Sequence, residues 1–309
     1  MKQQGRQEQV YTIHAGMQMG VVSLIVADLE RSLRFYEQVL GCATLARSKN
    51  SVVLGGEYPL LLLTERPGAS PRPENSAGLY HFALLLPSRV DLACALHHLL
   101  ALGYPIREMS DHLISEAIYL ADPEGNGIEL YRDRPRSAWP WQNGRLEASG
   151  PGINLSAESL LAELEEADSK WQGLPAFTRV GHVHIEVADL AQSAVFYQGV
   201  LGLAESITGI DGAAFFAAGG YHHHIGCNVW SSRTAIPPAN SLGLHFFTLS
   251  LPEQEEVTQL AAHAQTAGIP VKQYGQSYLL SDPSGNHLLL TAEPVRQGSE
   301  VIAFATEIE

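Results

Sequence analysis

The sequence predicts an α+β protein assembled from four copies of one βαβββ unit. Three observations carry this. The run VADLERSLRFYEQVLG at 26–41 recurs as VADLAQSAVFYQGVLG at 187–202. GLYHFALLLPS at 78–88 has a looser counterpart, GLHFFTLSLPE, at 243–253. Each member of this second pair is followed by a helical stretch and then by an Asp-Pro-x-Gly-Asn turn, at Asp122 and Asp282.

In units one and three an alternating strand runs into Asp28 or Asp189, each placed to cap a helix N-terminus. Apolar residues follow at helical spacing, Leu33, Tyr36 and Leu40 in one copy and Ala194, Tyr197 and Leu201 in the other, with Gly41 and Gly202 where a helix would stop. That spacing makes Tyr36 and Tyr197 helix-core residues. Unit two continues through the helix ALHHLLALG to SDHLISEAIYLADPEGNGIELY at 110–131, a strand to about Tyr119, a reversal at 122–126 and a second strand carrying Glu129. On a strand's period of two, Glu129 shares a face with Gly127 and Tyr131. Taken alone, such a Glu is a solvated carboxylate on a half-buried hairpin. Unit four repeats the plan through LAAHAQTAG and the turn at Asp282. His97, His98 and His263 fall in the helical stretches and read as surface residues.

The units divide the chain into 1–135, modules one and two, and 179–309, modules three and four. Between them lies a connector, 136–178, containing Trp139-Pro140-Trp141 and a short helix, SAESLLAELEEA. A segment of that length with its own helix can span a long distance, and it separates module two from module three by more than a hairpin requires. The polar first ten or so residues and the tail after about Thr291 lie outside the repeats.

A net charge of -14 disfavours nucleic acid, whose phosphates need clustered Lys and Arg. Three scattered cysteines, Cys42, Cys94 and Cys227, make neither a disulfide framework nor a zinc ribbon and fit a reducing compartment. No apolar run reaches the roughly 18 residues of a membrane span, and the start has no signal-peptide core. The expectation is a cytoplasmic protein acting on a small molecule, with no nucleic-acid or membrane partner and room for a homo-oligomer.

Four βαβββ units resemble the vicinal oxygen chelate superfamily, which includes glyoxalase I, fosfomycin-resistance enzymes and extradiol dioxygenases. The resemblance implies two domains, each of two paired modules forming a curled sheet that can enclose a metal. Within it, His112, Ile118-Tyr119, Asp122-Pro123-x-Gly125 and Glu129 resemble the extradiol ring-cleavage signature, with Ser110 departing from it at a peripheral place. By that likeness Glu129 binds a non-haem iron, and His112 and Tyr119 line the pocket for an aromatic diol. The superfamily also places a His ligand on the first strand of each module. Superposing the repeats puts His182 at that place in module three and Val21 in module one. It puts His81 there in module two and Phe246 in module four, where His245 is one residue off; Leu289 lies over Glu129. Only modules two and three then complete a set, His81, Glu129 and His182, the 2-His-1-carboxylate triad that suits Fe(II) and also admits Mn(II). Modules one and four would pair without ligands.

GGYHHHIGCN at 219–228 resembles the Arg-His-His stretch of extradiol enzymes. The resemblance makes His224 the acid–base residue, with His223 beside it and His222 on the same strand face; the run also reads as an edge strand whose imidazoles aid solubility. His184, two residues beyond His182, is either a pocket wall or a packed strand residue. RDRPRSAWPW and GGYHHHIG extend the likeness to compact bacterial catechol 2,3-dioxygenases, which implies a catecholic substrate, O2 and Fe(II). The other readings are a glyoxalase-like lyase or isomerase with a fourth protein ligand, and a metal-free binding protein.

Overall fold

Unit one runs β1 (Gln18–Val26), α1 (Leu29–Gln38), β2 (Ala43–Arg47), β3 (Ser51–Gly55) and β4 (Pro59–Glu65); unit two runs β5 (Gly78–Leu85), α2 (Arg89–Ala101), β6 (Glu108–Asp111), β7 (Ser115–Ala121) and β8 (Gly127–Asp133). The connector adds β9 (Trp141–Gln142), β10 (Arg145–Glu147), β11 (Ile153–Asn154) and α3 (Ala157–Ala167). Unit three follows as β12 (Arg179–Glu186), α4 (Leu190–Ala194), β13 (Ala204–Thr208), β14 (Ala213–Ala217) and β15 (Ile225–Asn228). Unit four closes with β16 (Gly243–Leu251), α5 (Gln254–Thr266), β17 (Lys272–Tyr274), β18 (Ser277–Ser281) and β19 (His287–Ala292). This is a computed structural model, and it describes residues 11–147, 152–167, 170–231, 236–292, 298 and 300–302. The polar first ten residues and most of the C-terminal tail lie outside the described residues.

The cap residues act as their spacing predicts. Asp28 accepts from the Arg31 N–H and Asp189 from the Gln192 N–H. Gly41 ends the first helix at φ 70°, and a Cβ there would come within 2.6 Å of the Gly173 Cα, so the connector lies directly against this stop. The second copy differs from the first, since α4 passes into one π-helical stretch, Val195–Val200.

The modules pair across the chain. An eight-stranded sheet in the order β17-β18-β19-β16-β1-β4-β3-β2 joins units one and four, and an eleven-stranded sheet, β11-β6-β7-β8-β5-β12-β15-β14-β13-β10-β9, joins units two and three. The connector is more than a spacer with a helix: β11 pairs with β6 at one edge of the larger sheet and β10 pairs with β13 at the other. Its helix α3 lies against α2, where Arg89 bridges Glu116 and the Ser159 carbonyl. His98 and His263, expected at the surface, are instead half-buried, stacked on Trp171 at 5.0 Å and on Tyr11 at 4.7 Å.

The two sheets are clasped at equivalent places. Tyr36 is fully buried and donates its hydroxyl proton to Asp122 Oδ2 at 2.9 Å; Tyr197 does the same to Asp282 at 3.0 Å. Each repeated helix is thereby tied to the Asp-Pro turn of the following unit, which belongs to the other sheet. Burial raises both aspartate pKa values, and the turn's own N–H donors and the tyrosine offset it. Tyr36→Phe removes one donor from a buried carboxylate, so it is expected to lower unfolding free energy by about 1–3 kcal/mol. Denaturant melts of the variant check this.

In the pair of units one and four, the places homologous to ligands are filled with hydrocarbon. Val21, Phe246 and Leu289 join Val53, Leu62 and Val301 in one buried cluster. The sheet keeps its curl, and apolar packing replaces what a metal would hold, at about 1.5–3 kcal/mol for each side chain fully buried.

Candidate metal centre

Strand pairing alone brings the three candidate ligand side chains together. β5 lies between β12, which runs antiparallel to it, and β8, which runs parallel. Ala83 on β5 is in register with His182 on one side and with Glu129 on the other. Neighbouring strands lie about 4.8 Å apart, so the side chains of His182 and Glu129 reach each other across one intervening residue. That residue is Ala83, fully buried, whose methyl leaves the space between them open. His81 sits two residues before Ala83 and, by the period of two, on the same face.

Close approach also depends on glycine. A Cβ at Gly181 would fall 1.7 Å from the Tyr131 hydroxyl, so this position lets Tyr131 cross β12 and pack at a tilt against His182, ring centroids 4.9 Å apart. A register irregularity between Val180 and His182 marks the same spot.

Glu129 Oε2 lies 2.9 Å from His182 Nε2 and 3.0 Å from His81 Nε2. All three residues are buried, and their ligand atoms fall within 4.8 Å of one another; among the described residues this is the one His, Cys, Asp and Glu group with metal-binding spacing. The His81 Nε2 is buried and makes no hydrogen bond of good geometry despite its short distance to Glu129. Burial would raise the Glu129 pKa, but the imidazoles of His182 and His81 hold it well below the usual carboxylate range. Burial pushes His182 down to about 4, with Glu129 opposing. An ionised carboxylate beside a neutral imidazole and an orphaned ring nitrogen is a donor set short of a cation. A divalent ion fits it.

Around this centre, His112 Nε2 lies 3.0 Å from the Tyr119 hydroxyl, and Tyr119 is paired in register with Glu129. Burial first, then Glu129, raises the Tyr119 pKa well above normal, so its phenol stays protonated. His184 is a buried wall residue whose Nε2 has no hydrogen-bond partner. Its ring meets those of His81 at 5.1 Å, Phe215 at 5.6 Å and Trp230 at 5.3 Å. Tyr80 and Trp230, partly exposed and 5.4 Å apart, continue this aromatic wall outwards.

The histidine run does not form a strand. β14 ends at Ala217 and β15 starts at Ile225, with Gly219 at φ 59° and Gly220 at φ 65° turning the chain between them. The period of two therefore fails here, and the edge-strand reading fails with it, since His222 and His224 are buried. His223 is the residue packed against His182, with ring centroids 4.1 Å apart and the planes tilted by 46°. His222 lies 5.9 Å from His182 and packs between Tyr221, Tyr131 and Trp139. His224 packs on Tyr221, and its Nδ1 accepts from the Ala218 N–H at 3.3 Å. It lines a cavity of about 160 Å³ together with Met17, Arg136 and Arg179, but with none of the three ligand residues. The site residues that sequence reasoning passed over are Ala83, Gly181, Tyr80, Trp230, Tyr131 and Asp133. A signal existed for two of them, because Tyr131 and Asp133 continue Glu129's strand face at steps of two.

Comparison with known proteins agrees with this architecture. A family model described as the Glyoxalase/Bleomycin resistance protein/Dioxygenase superfamily matches residues 18–130 and 179–290. A protein of Bacillus subtilis (strain 168) named catechol-2,3-dioxygenase is 42% identical over 279 residues, covering 88% of this chain and 96% of the relative. Among solved structures, a Bacillus subtilis (strain 168) protein superposes with a TM-score of 0.68 at 10% identity over 96% of each chain. Glyoxalase I from Zea mays superposes with a TM-score of 0.55 at 14% identity, over 94% of this chain and 95% of its own. At such identities these two structures speak for the fold.

Proposed function

The chain belongs to the glyoxalase, bleomycin resistance protein and dioxygenase superfamily, and we propose that within it the protein is an extradiol dioxygenase, opening a catechol with molecular oxygen at an Fe(II) held by His81, Glu129 and His182. The observation that carries this reading is the three-ligand group itself. Two imidazoles and one carboxylate leave positions free for both substrates, whereas a glyoxalase-like site wants a fourth protein ligand, and neither His184 nor His224 joins the group. The name of the 42% identical relative points the same way. A metal-free binding protein would have no use for an ionised carboxylate buried among imidazoles.

Ferrous iron held by these residues would supply a Lewis acid for the diol oxygens and electron density for O2. The chain supplies the rest. Tyr119, kept protonated, donates a hydrogen bond to a substrate oxygen, with His112 fixing its hydroxyl. His184, Phe215, Trp230 and Tyr80 provide aromatic faces for a planar ring. His223, whose pKa burial holds well below normal with further lowering from His182 and His222, is a neutral imidazole beside the centre, able to accept a proton from the diol and return it to the product.

Protein purified without oxygen is expected to contain iron and to consume O2 when given catechol. Aerobic handling should inactivate it, and ferrous salt with reductant should restore it. The same nitrogen and oxygen ligands admit Mn(II), so activity with manganese is compatible with the proposal. Full activity with zinc alone would refute it.

A further inference from the structure

We propose that Asp133 is a positioning residue for His223, holding His222, and through it His223, in the tautomers that leave the Nε2 of His223 with a free lone pair. The kinetic part of this inference rests on the ring-cleavage reading above; the structural part does not.

His222 Nε2 lies 2.9 Å from Asp133 Oδ1, and His222 Nδ1 lies 2.7 Å from His223 Nδ1. A carboxylate can only accept, so His222 must carry its proton on Nε2. A neutral imidazole has one ring proton, which leaves the Nδ1 of His222 as a lone pair. The short Nδ1 to Nδ1 contact is then a hydrogen bond only if His223 donates from its own Nδ1. When both rings are neutral, the chain of three groups has one polarity, and it ends in an unprotonated Nε2 on the ring packed at a tilt against His182, centroids 4.1 Å apart. That is the tautomer a proton acceptor at the centre needs.

The surroundings prevent the relay from reorganising. His222 is fully buried, and the rings of Tyr221 at 4.1 Å, His182 at 5.9 Å, Tyr131 at 6.0 Å and Trp139 at 5.4 Å box it in. Asp133 is the last residue of β8, four positions after Glu129 on the same strand face, so the strand that places the carboxylate ligand also places the relay's acceptor. The following segment is fixed as well: the Trp139 indole N–H donates to the Arg134 carbonyl at 2.9 Å, and Arg134 pairs with Asp111 at 2.6 Å. The Tyr221 ring that packs on His222 is itself fixed, its hydroxyl 2.7 Å from that of Tyr131. A carboxylate behind an imidazole that sets its tautomer is a device known from hydrolase triads and from histidine metal ligands, and here it acts through one further ring.

The test uses the full-length, metal-free chain with 15N-labelled histidine, beside kinetics of the iron-loaded enzyme. In the native chain the ring proton of His223 is expected on Nδ1. Asp133→Asn can offer an N–H to His222 instead of a lone pair, which reverses both rings and moves the His223 proton to Nε2. In the same variant kcat for catechol should fall about 10–100-fold, with KM and iron content unchanged. Asp133→Glu, which keeps the acceptor, should recover most of both readouts. A native His223 protonated on Nε2, unchanged tautomers in Asp133→Asn, or a loss of turnover explained by lost iron would each overturn the proposal. If the native tautomers are as stated and no catechol is opened, the ring-cleavage reading fails while the relay stands.

Discussion

Replacing His81, Glu129 or His182 by Ala, one at a time, is expected to leave a folded protein that holds no iron and opens no catechol. The reason lies in the count. Three side chains make the centre, and among the described residues no other His, Cys, Asp or Glu joins them at ligand spacing, so none can substitute. Glu129 matters most because it is the one anionic member; without it a divalent ion would face neutral imidazoles in a buried site with no compensating charge. Activity should drop to background in all three variants, and metal analysis of anaerobically purified protein should show the ion missing rather than inert. Glu129→Ala should fold best, since it removes the buried charge, whereas His81→Ala and His182→Ala each leave that carboxylate one partner short, at a cost of up to about 3–5 kcal/mol. Melting temperatures of the metal-free variants relative to the metal-free parent check that order.

The second large effect separates two adjacent histidines. His223→Ala should retain iron and lose turnover by about 10²–10⁴, the range a positioned acid–base group supplies. His224→Ala should lose far less, because that ring faces the cavity with Arg136 and Arg179 and its Nδ1 is occupied by the Ala218 N–H. Oxygen uptake normalised to bound iron measures both. Loss of iron from His223→Ala would make that residue a ligand; a larger kinetic loss from His224→Ala would return the acid–base role to His224.

Much of this molecule was legible in its repeats because each βαβββ unit must bury the same faces in the same order. The pairs 26–41 with 187–202 and 78–88 with 243–253 sufficed to number the units and to set Val21, Phe246 and Leu289 against His182, His81 and Glu129. That His223, and not His224, packs beside His182 was not legible. It depends on two glycines with positive φ that end β14 early, and a strand's alternation cannot be extended through such a turn. The Tyr36 to Asp122 clasp was hidden for a different reason: helical spacing shows that a tyrosine is buried, but not which distant turn receives its hydroxyl. The short strands β10 and β11 pair near the sheet edges through two residues each, too few for any periodicity to show. Ala83 carries no chemical signal at all. Its importance is that it is small, and only the register on both sides reveals that.

The central claim is that the centre is built by modules two and three across the connector, while modules one and four are packed with hydrocarbon. His245 provides the contrast, a histidine of module four one residue from the ligand place, with its Nδ1 3.4 Å from the Ser23 hydroxyl and its neighbour Phe246 in the apolar cluster. The most direct test is the iron content of His81→Ala beside that of His245→Ala, both purified without oxygen. The account predicts an iron-free His81→Ala and a His245→Ala that holds as much iron as the parent; iron kept by the first and lost by the second would contradict it.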